Sequence, residues 1–106
     1  MLTVPSSFNA TQRKATEDAA QIAGLDIKRV IDESVAATIS AGLHNSEEEI
    51  LLLVLNFGTF SIDISVMSCH RGVINVENKT SLAHLGSRSL DEAMAKYCLD
   101  EFNDQN

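Results

Sequence analysis

The spacing of apolar positions changes halfway along the chain, from a helical period to an alternating one. Asn9, followed three residues later by Gln12, has the form of a helix capping box, and Gly24 supplies a stop. Between them Ala15, Ala19, Ile22 and Ala23 fall at helical spacing, which predicts a helix over roughly residues 10–23. Upstream, Leu2 to Val4 reads as the end of a strand closed by Pro5. Downstream, the alternation of Leu25, Ile27, Arg29 and Ile31 with their neighbours predicts a second short strand, and a second helix is expected from about Val35 to Ala41, ended by Gly42.

His44 to Glu49 (HNSEEE) is polar and acidic and reads as a solvated connector. Beyond it the pattern is β. The apolar run Ile50 to Phe57 is expected to form a strand buried on both faces. Phe60, Ile62, Ile64 and Val66 alternate with Ser61, Asp63 and Ser65 in the next strand. His70-Arg71-Gly72 is a turn, and Val73, Ile74 and Val76 open a third strand. Ser89-Leu90-Asp91-Glu92 predicts another capping box, ahead of an amphipathic stripe of Leu90, Ala93, Met94, Tyr97, Cys98 and Phe102. The fold class is α/β, β-α-β-α followed by a three-strand β-meander and an α-helix, with no internal repeat or low-complexity tract.

Composition narrows the function classes. With 106 residues, 44% hydrophobic and 22% charged, the chain is one globular domain or a piece of one. A net charge of −7 leaves no basic patch for a nucleic-acid backbone. The longest apolar run, Ile50 to Leu55, is far short of the about 20 residues that span a bilayer. The start MLTVPSSF lacks the basic and long apolar regions of a signal peptide. Cys69 and Cys98 lack C-x-x-C spacing and read as buried or partly buried free thiols of a reducing compartment, so the expected location is the cytoplasm. His44, His70 and His84 are scattered without metal-ligand spacing, and Ser6, Ser7, Ser87 and Ser89 sit in cap or turn contexts, so no metal site and no nucleophile–base pair emerges.

Three stretches together resemble one family. Thr3 to Asn9 with Gln12 to Thr16 and Asp18-Ala19, then Ile22 to Leu25, Lys28 to Glu33 and Ala36-Ala37, are similar to the end of the first lobe of the nucleotide-binding domain of DnaK-type chaperones, the seventy-kilodalton heat-shock proteins. Asp63 to Ser65, His84-Leu85-Gly86 and the closing helix through Glu101-Phe102 extend the likeness to the C-terminus. The resemblance implies a fragment of the actin-like (ribonuclease H-like) ATPase fold. Residues 1–43 would be the tail of lobe I, 44–49 the acidic connector and 50–106 the beginning of lobe II. It also implies ATP with Mg²⁺ between the lobes and a role in ATP-driven protein folding and the stress response.

Against the family pattern, LNFGTFSID (Leu55 to Asp63) occupies the place of a phosphate-binding loop. In that pattern an aspartate and an apolar residue precede three glycines, a threonine and a second aspartate. Without gaps, Asn56 takes the first aspartate's place, Gly58 the first glycine's, Thr59 and Phe60 the next two, and Ser61 the threonine's, while Asp63 keeps the last aspartate. Glycines matter there because backbone N–H groups must touch phosphate with no Cβ between. Gly86 matches a family glycine before the lobe II helix, although Ser87 and Arg88 depart from the pattern. The nucleotide residues implied are thus Asn56, Gly58, Thr59, Ser61, Asp63 and Gly86.

Glu33 matches a glutamate that orients the attacking water; on its own it reads as a strand-end carboxylate before a helix, followed by Ser34, a good N-cap, where the family has proline. Pro5 and Arg13 match residues that relay nucleotide state between lobes, and Arg29, beside Lys28, matches a contact for a J-domain co-chaperone. On their own they read as a strand end and solvated surface.

The expectation is a divergent chaperone-family chain that does not hydrolyse ATP efficiently by itself. The alternatives are a non-catalytic interaction module, binding a chaperone, a co-chaperone or its own kind, and a gene fragment without selected function.

Overall fold

The computed structural model describes residues 1–105; Asn106, the last residue of the expected second unit, lies outside them. Along the chain run β1 (Leu2–Val4), α1 (Ala10–Ile22), β2 (Val30–Asp32), α2 (Glu33–Ser40), a 3₁₀ turn (Leu43–Asn45), β3 (Ile50–Phe57), β4 (Ser61–His70), β5 (Val73–Ala83) and α3 (Ser87–Asp104). β1 and β2 pair in parallel across α1, and β3, β4 and β5 form an antiparallel meander in that order.

The expected box starts α1. Asn9 Oδ1 accepts from the Gln12 amide and Gln12 Oε1 accepts from the Asn9 amide, each at 2.9 Å. At the other end Gly24, at φ +83°, turns the chain, with its amide donating to Gln21 O (2.9 Å) and the Leu25 amide to Ala20 O (3.0 Å). These are the two bonds of a Schellman stop. None of α1 is fully buried, and Ile22 of the expected apolar stripe lies in solvent. Its definition therefore rests on its caps, and Asn9→Ala should cost about 1 kcal/mol. Faster exchange of the Gln12 amide, with little change in the β-meander, would register it.

Several sequence expectations are corrected. The strand expected from Leu25 shortens to Val30–Asp32, because β1 offers only Leu2–Val4 as a partner before Pro5 ends it. α2 begins at Glu33, two residues earlier than the apolar pattern suggests. Ser34 is not its N-cap; Asp32 stands there, and Ser34 lies buried inside the first turn. α3 likewise starts at Ser87 after Gly86, and Ser89, expected to cap it, donates to His84 O from within the helix.

The β-meander is corrected most. Instead of being buried on both faces, β3 is an edge strand whose outward residues Leu51, Leu53, Leu55 and Phe57 are exposed. In β4 the buried face is Asp63, Ser65, Met67 and Cys69, while Ile62, Ile64 and Val66 lie on the other, more open side. The alternation was legible, but its apolar side faces away from α2. A two-residue turn joins β4 to β5, with Arg71 at φ +48° and Gly72 at φ +84°, the left-handed pair that hairpin twist favours. Their amides donate to Ser46 O (2.8 Å) and His44 O (2.7 Å), tying the acidic connector to the turn.

Polar groups dominate the seam between the two sheets. Among the described residues, Val4, Met67 and Cys69 are the fully buried apolar side chains, against seven buried polar ones. Ser34 Oγ lies 3.4 Å from Ser6 Oγ and accepts from Ser65 Oγ at 3.2 Å, linking β1's exit, α2 and β4. The radius of gyration, 18.5 Å, exceeds the roughly 13 Å of a compact chain of this length. The molecule is flat and exposes much of its apolar surface. Cys69 is buried as expected, but Cys98 is exposed on α3.

Candidate functional site

The β3–β4 hairpin, the start of α2 and the start of α3 bring most of the nominated residues together. Asn56, the next-to-last residue of β3, projects from the face turned toward α2. Its Nδ2 donates to Glu33 Oε2 at 2.9 Å. The pair is short because Asn56, opposite Asp63 in the ladder, shares a face with Ser65, which itself bonds α2 through Ser34.

The turn itself is closed on its own backbone. Gly58 N–H donates to Ser61 O at 2.9 Å, and the Gly58 and Thr59 carbonyls accept from Ser87 and Arg88 N–H at 3.0 and 3.1 Å. The first amides of α3, donors that a helix start offers to an anion, are thus spent on the hairpin. Gly86 permits this approach. A Cβ there would stand 2.5 Å from Thr59 O and 2.6 Å from Gly58 O. Its φ of −162° is ordinary extended backbone, so space alone demands glycine.

Phe60 is largely exposed, with the Arg88 guanidinium 5.6 Å from its ring centre, and Arg88 Nε also donates to Glu92 Oε1 at 2.9 Å. Thr59, Phe60, His84 and Arg88 line a small open hollow of about 210 Å³. Asp63 is 3% exposed; Ser61 Oγ lies 3.4 Å from its Oδ2, and Oδ1 meets no donor among the described residues.

These groups do not fit Mg²⁺ with a nucleotide. The hairpin turns carbonyl oxygens toward α3, the Gly58, Ser87 and Arg88 amides are already paired, and Phe60 occupies the turn where a bare backbone is needed. Among the described residues no three His, Cys, Asp or Glu side chains gather closely enough to hold a metal ion.

The sequence model of the family described as Hsp70 protein matches residues 1–106. The chain belongs to the Hsp70 family. It is 39% identical over 102 residues to the chaperone protein DnaK of Cenarchaeum symbiosum (strain A), and 38% identical over 102 residues to the chaperone protein DnaK of Nitrosopumilus maritimus (strain SCM1). Each match covers 96% of this chain and 16% of the relative, so the chain spans about a sixth of their length. The mixed α/β architecture agrees with a piece of the Hsp70 actin-like ATPase domain.

The remaining Hsp70-matched positions lie away from the hairpin turn. Pro5 follows β1, and its carbonyl accepts from Phe8 N–H at 3.1 Å. Arg13 reaches from α1 to Asp32 Oδ1 and donates through Nε to Phe8 O at 3.0 Å. Arg29 is exposed, and with Arg13 and Asp32 it lines an open groove of about 550 Å³. Sequence reasoning missed Asp32 as a centre: it also holds Lys79 Nζ of β5 at 3.1 Å. Its one sequence signal is a carboxylate at a strand end directly before Glu33. Nothing marked Lys79, 47 residues away. Ser65, which alternates with the apolar residues of β4, is 1% exposed.

Among the described residues no helix is long and apolar enough to cross a membrane.

Proposed function

We propose that this chain is a divergent Hsp70 chaperone segment in which the former phosphate hairpin has become a structural clasp, so that these 106 residues act through protein contacts and do not turn over ATP alone. In this reading residues 1–43 are the tail of lobe I, 44–49 the connector and 50–106 the start of lobe II. The family's ATP-dependent folding role, with Mg²⁺ and a cytoplasmic location, is the background from which the chain has diverged. Its partners would be a J-domain co-chaperone on the Arg29 side, another chaperone chain, or its own kind.

The observation that carries this reading is the closure of the site on itself. The Asn56 amide gives the Glu33 carboxylate a hydrogen-bond donor, and the hairpin consumes the first amides of α3. Glu33, the nominated water-orienting carboxylate, is thereby engaged in a structural bond.

Calorimetric titration of the chain with Mg·ATP is expected to show no binding heat, and phosphate release no turnover above background. Turnover abolished by Glu33→Ala would overturn the proposal. The triple variant Asn56→Asp, Thr59→Gly, Phe60→Gly sharpens the test. It sets a second carboxylate against Glu33 and adds two flexible glycines at about 0.4–1 kcal/mol each. Phe60 is exposed, so losing its ring adds little. The variant should be less stable than the parent and bind Mg·ATP more weakly than about 100 μM, roughly −5.5 kcal/mol. Low-micromolar binding would mean that the substitutions alone had closed a usable pocket.

A further inference from the structure

In the connector, Ser46 is followed directly by Glu47, Glu48 and Glu49. Two other hydroxyls, Thr16 and Ser89, also have two acidic residues among the next three, so the pattern alone does not single out Ser46. Their backbones separate them. Thr16 lies within α1 and its Oγ1 donates to Gln12 O at 2.8 Å. Ser89 lies in the first turn of α3 and donates to His84 O at 3.1 Å. Ser46 belongs to no helix or strand and holds an extended backbone, with φ −58° and ψ 132°. A cleft that reads side chains in succession takes up its peptide extended. A helical hydroxyl must first leave its turn and give up the hydrogen bonds there.

Charge decides the class of enzyme. Carboxylates at three consecutive positions are not buried without cations, so water or a basic partner surrounds them whatever else packs near the connector. A cleft lined by lysine and arginine attracts such a stretch. It rejects a serine beside a cation, such as Ser87 next to Arg88.

We propose that Ser46 is a phosphorylation site for a serine kinase with a basic substrate cleft. In the transfer, Ser46 Oγ bonds the γ-phosphorus of Mg·ATP held by the kinase, and the bond from that phosphorus to the β–γ bridging oxygen breaks. ADP leaves, and the hydroxyl proton passes to the kinase's base. The inference stands apart from the reading of the hairpin, because the kinase supplies both nucleotide and catalyst.

Arg71 sets what the phosphate does. The Arg71 amide donates to Ser46 O at 2.8 Å, so this guanidinium belongs to the residue that already touches the acceptor's main chain. A phosphoserine brings about −1.5 to −2 charges and binds an arginine fork through charge-assisted hydrogen bonds. Repulsion from Glu47, Glu48 and Glu49, all exposed, is screened by water and is the weaker effect. Modification therefore ties the connector more tightly to the β4–β5 turn.

Incubating the 106-residue chain with Mg·ATP and a purified casein kinase, which selects serines followed by carboxylates, should add one phosphate. Fragmentation mass spectrometry should place it on Ser46. Ser46→Ala should abolish labelling, and the triple variant Glu47→Gln, Glu48→Gln, Glu49→Gln should slow it about tenfold. Circular dichroism would confirm that both variants fold. In the modified chain, exchange of the Gly72 amide, bonded to His44 O at 2.7 Å, should slow about tenfold. Arg71→Gln should remove that slowing and leave labelling intact. No phosphate on Ser46, faster labelling of Thr16 or Ser89, or indifference to the glutamine triple would each overturn the proposal. So would transfer to Ser46 without added kinase, or Gly72 exchange that is unchanged or faster after modification.

Discussion

Gly86→Ala is expected to unseat α3 from the β3–β4 hairpin. The added Cβ would lie 2.5 Å from Thr59 O and 2.6 Å from Gly58 O, and both obstacles are backbone. No rotamer change relieves them, so the helix start must move away. That movement breaks the bonds from Ser87 N–H to Gly58 O and from Arg88 N–H to Thr59 O. At about 1 kcal/mol net per bond, the loss is about 2 kcal/mol. Amide exchange at Ser87 and Arg88 should therefore speed up about thirtyfold, while the β4–β5 ladder keeps its protection. Unchanged exchange at those two amides would mean that the clasp does not hold in solution. Because the same bonds occupy the helix start, the variant also tests whether freeing these amides admits phosphate. The occupied Asn56–Glu33 pair argues that it does not.

Asp32→Ala should cost as much through a different cause. Asp32 sits at the end of β2 with its side chain 10% exposed, accepting from Arg13 of α1 on one oxygen and Lys79 of β5 on the other. Removing the carboxylate leaves two cations facing each other at the seam of the two sheets. Losing one partner of a fully buried pair costs about 3–5 kcal/mol. Arg13 and Lys79 keep 27% and 43% of their side chains in water, which lowers the figure to about 2 kcal/mol. Urea unfolding would measure it. Lys79→Met leaves the Arg13–Asp32 pair in place and should cost under about 1 kcal/mol. Equal costs for the two substitutions would show that Asp32 is not the hub. Arg13, which family resemblance makes a relay between lobes, here serves as a tie between α1 and β2.

Local signals in the sequence translated directly into local structure. The Asn9/Gln12 box starts α1 at Ala10, Gly24 and Gly42 stop the first two helices, and the Arg71-Gly72 turn joins β4 to β5. Each is legible because its cause lies within a few residues: a side chain reaching its own backbone, or a glycine supplying positive φ. The Hsp70 likeness was legible too, since collinear residues carry it. It named Glu33, Asn56, Gly58 and Gly86, which the fold brings together at one hairpin.

What a strand buries depends on what lies across from it, and that information is not local. The run Ile50–Phe57 looked like the centre of a sheet and is its edge; the apolar alternation of β4 pointed to a core on the side that is more open. Ser34 and Ser65 are buried because α2 and β1 cover that face, and their hydroxyls find partners across 28 to 31 residues of chain. Sequence by itself determined where the helices and turns begin and end, and to which family the pattern belongs. Only the tertiary structure decided which face of the meander is inside and that the first amides of α3 are already spent on the hairpin, because both follow from long-range pairing and backbone contact rather than from the residues at the site.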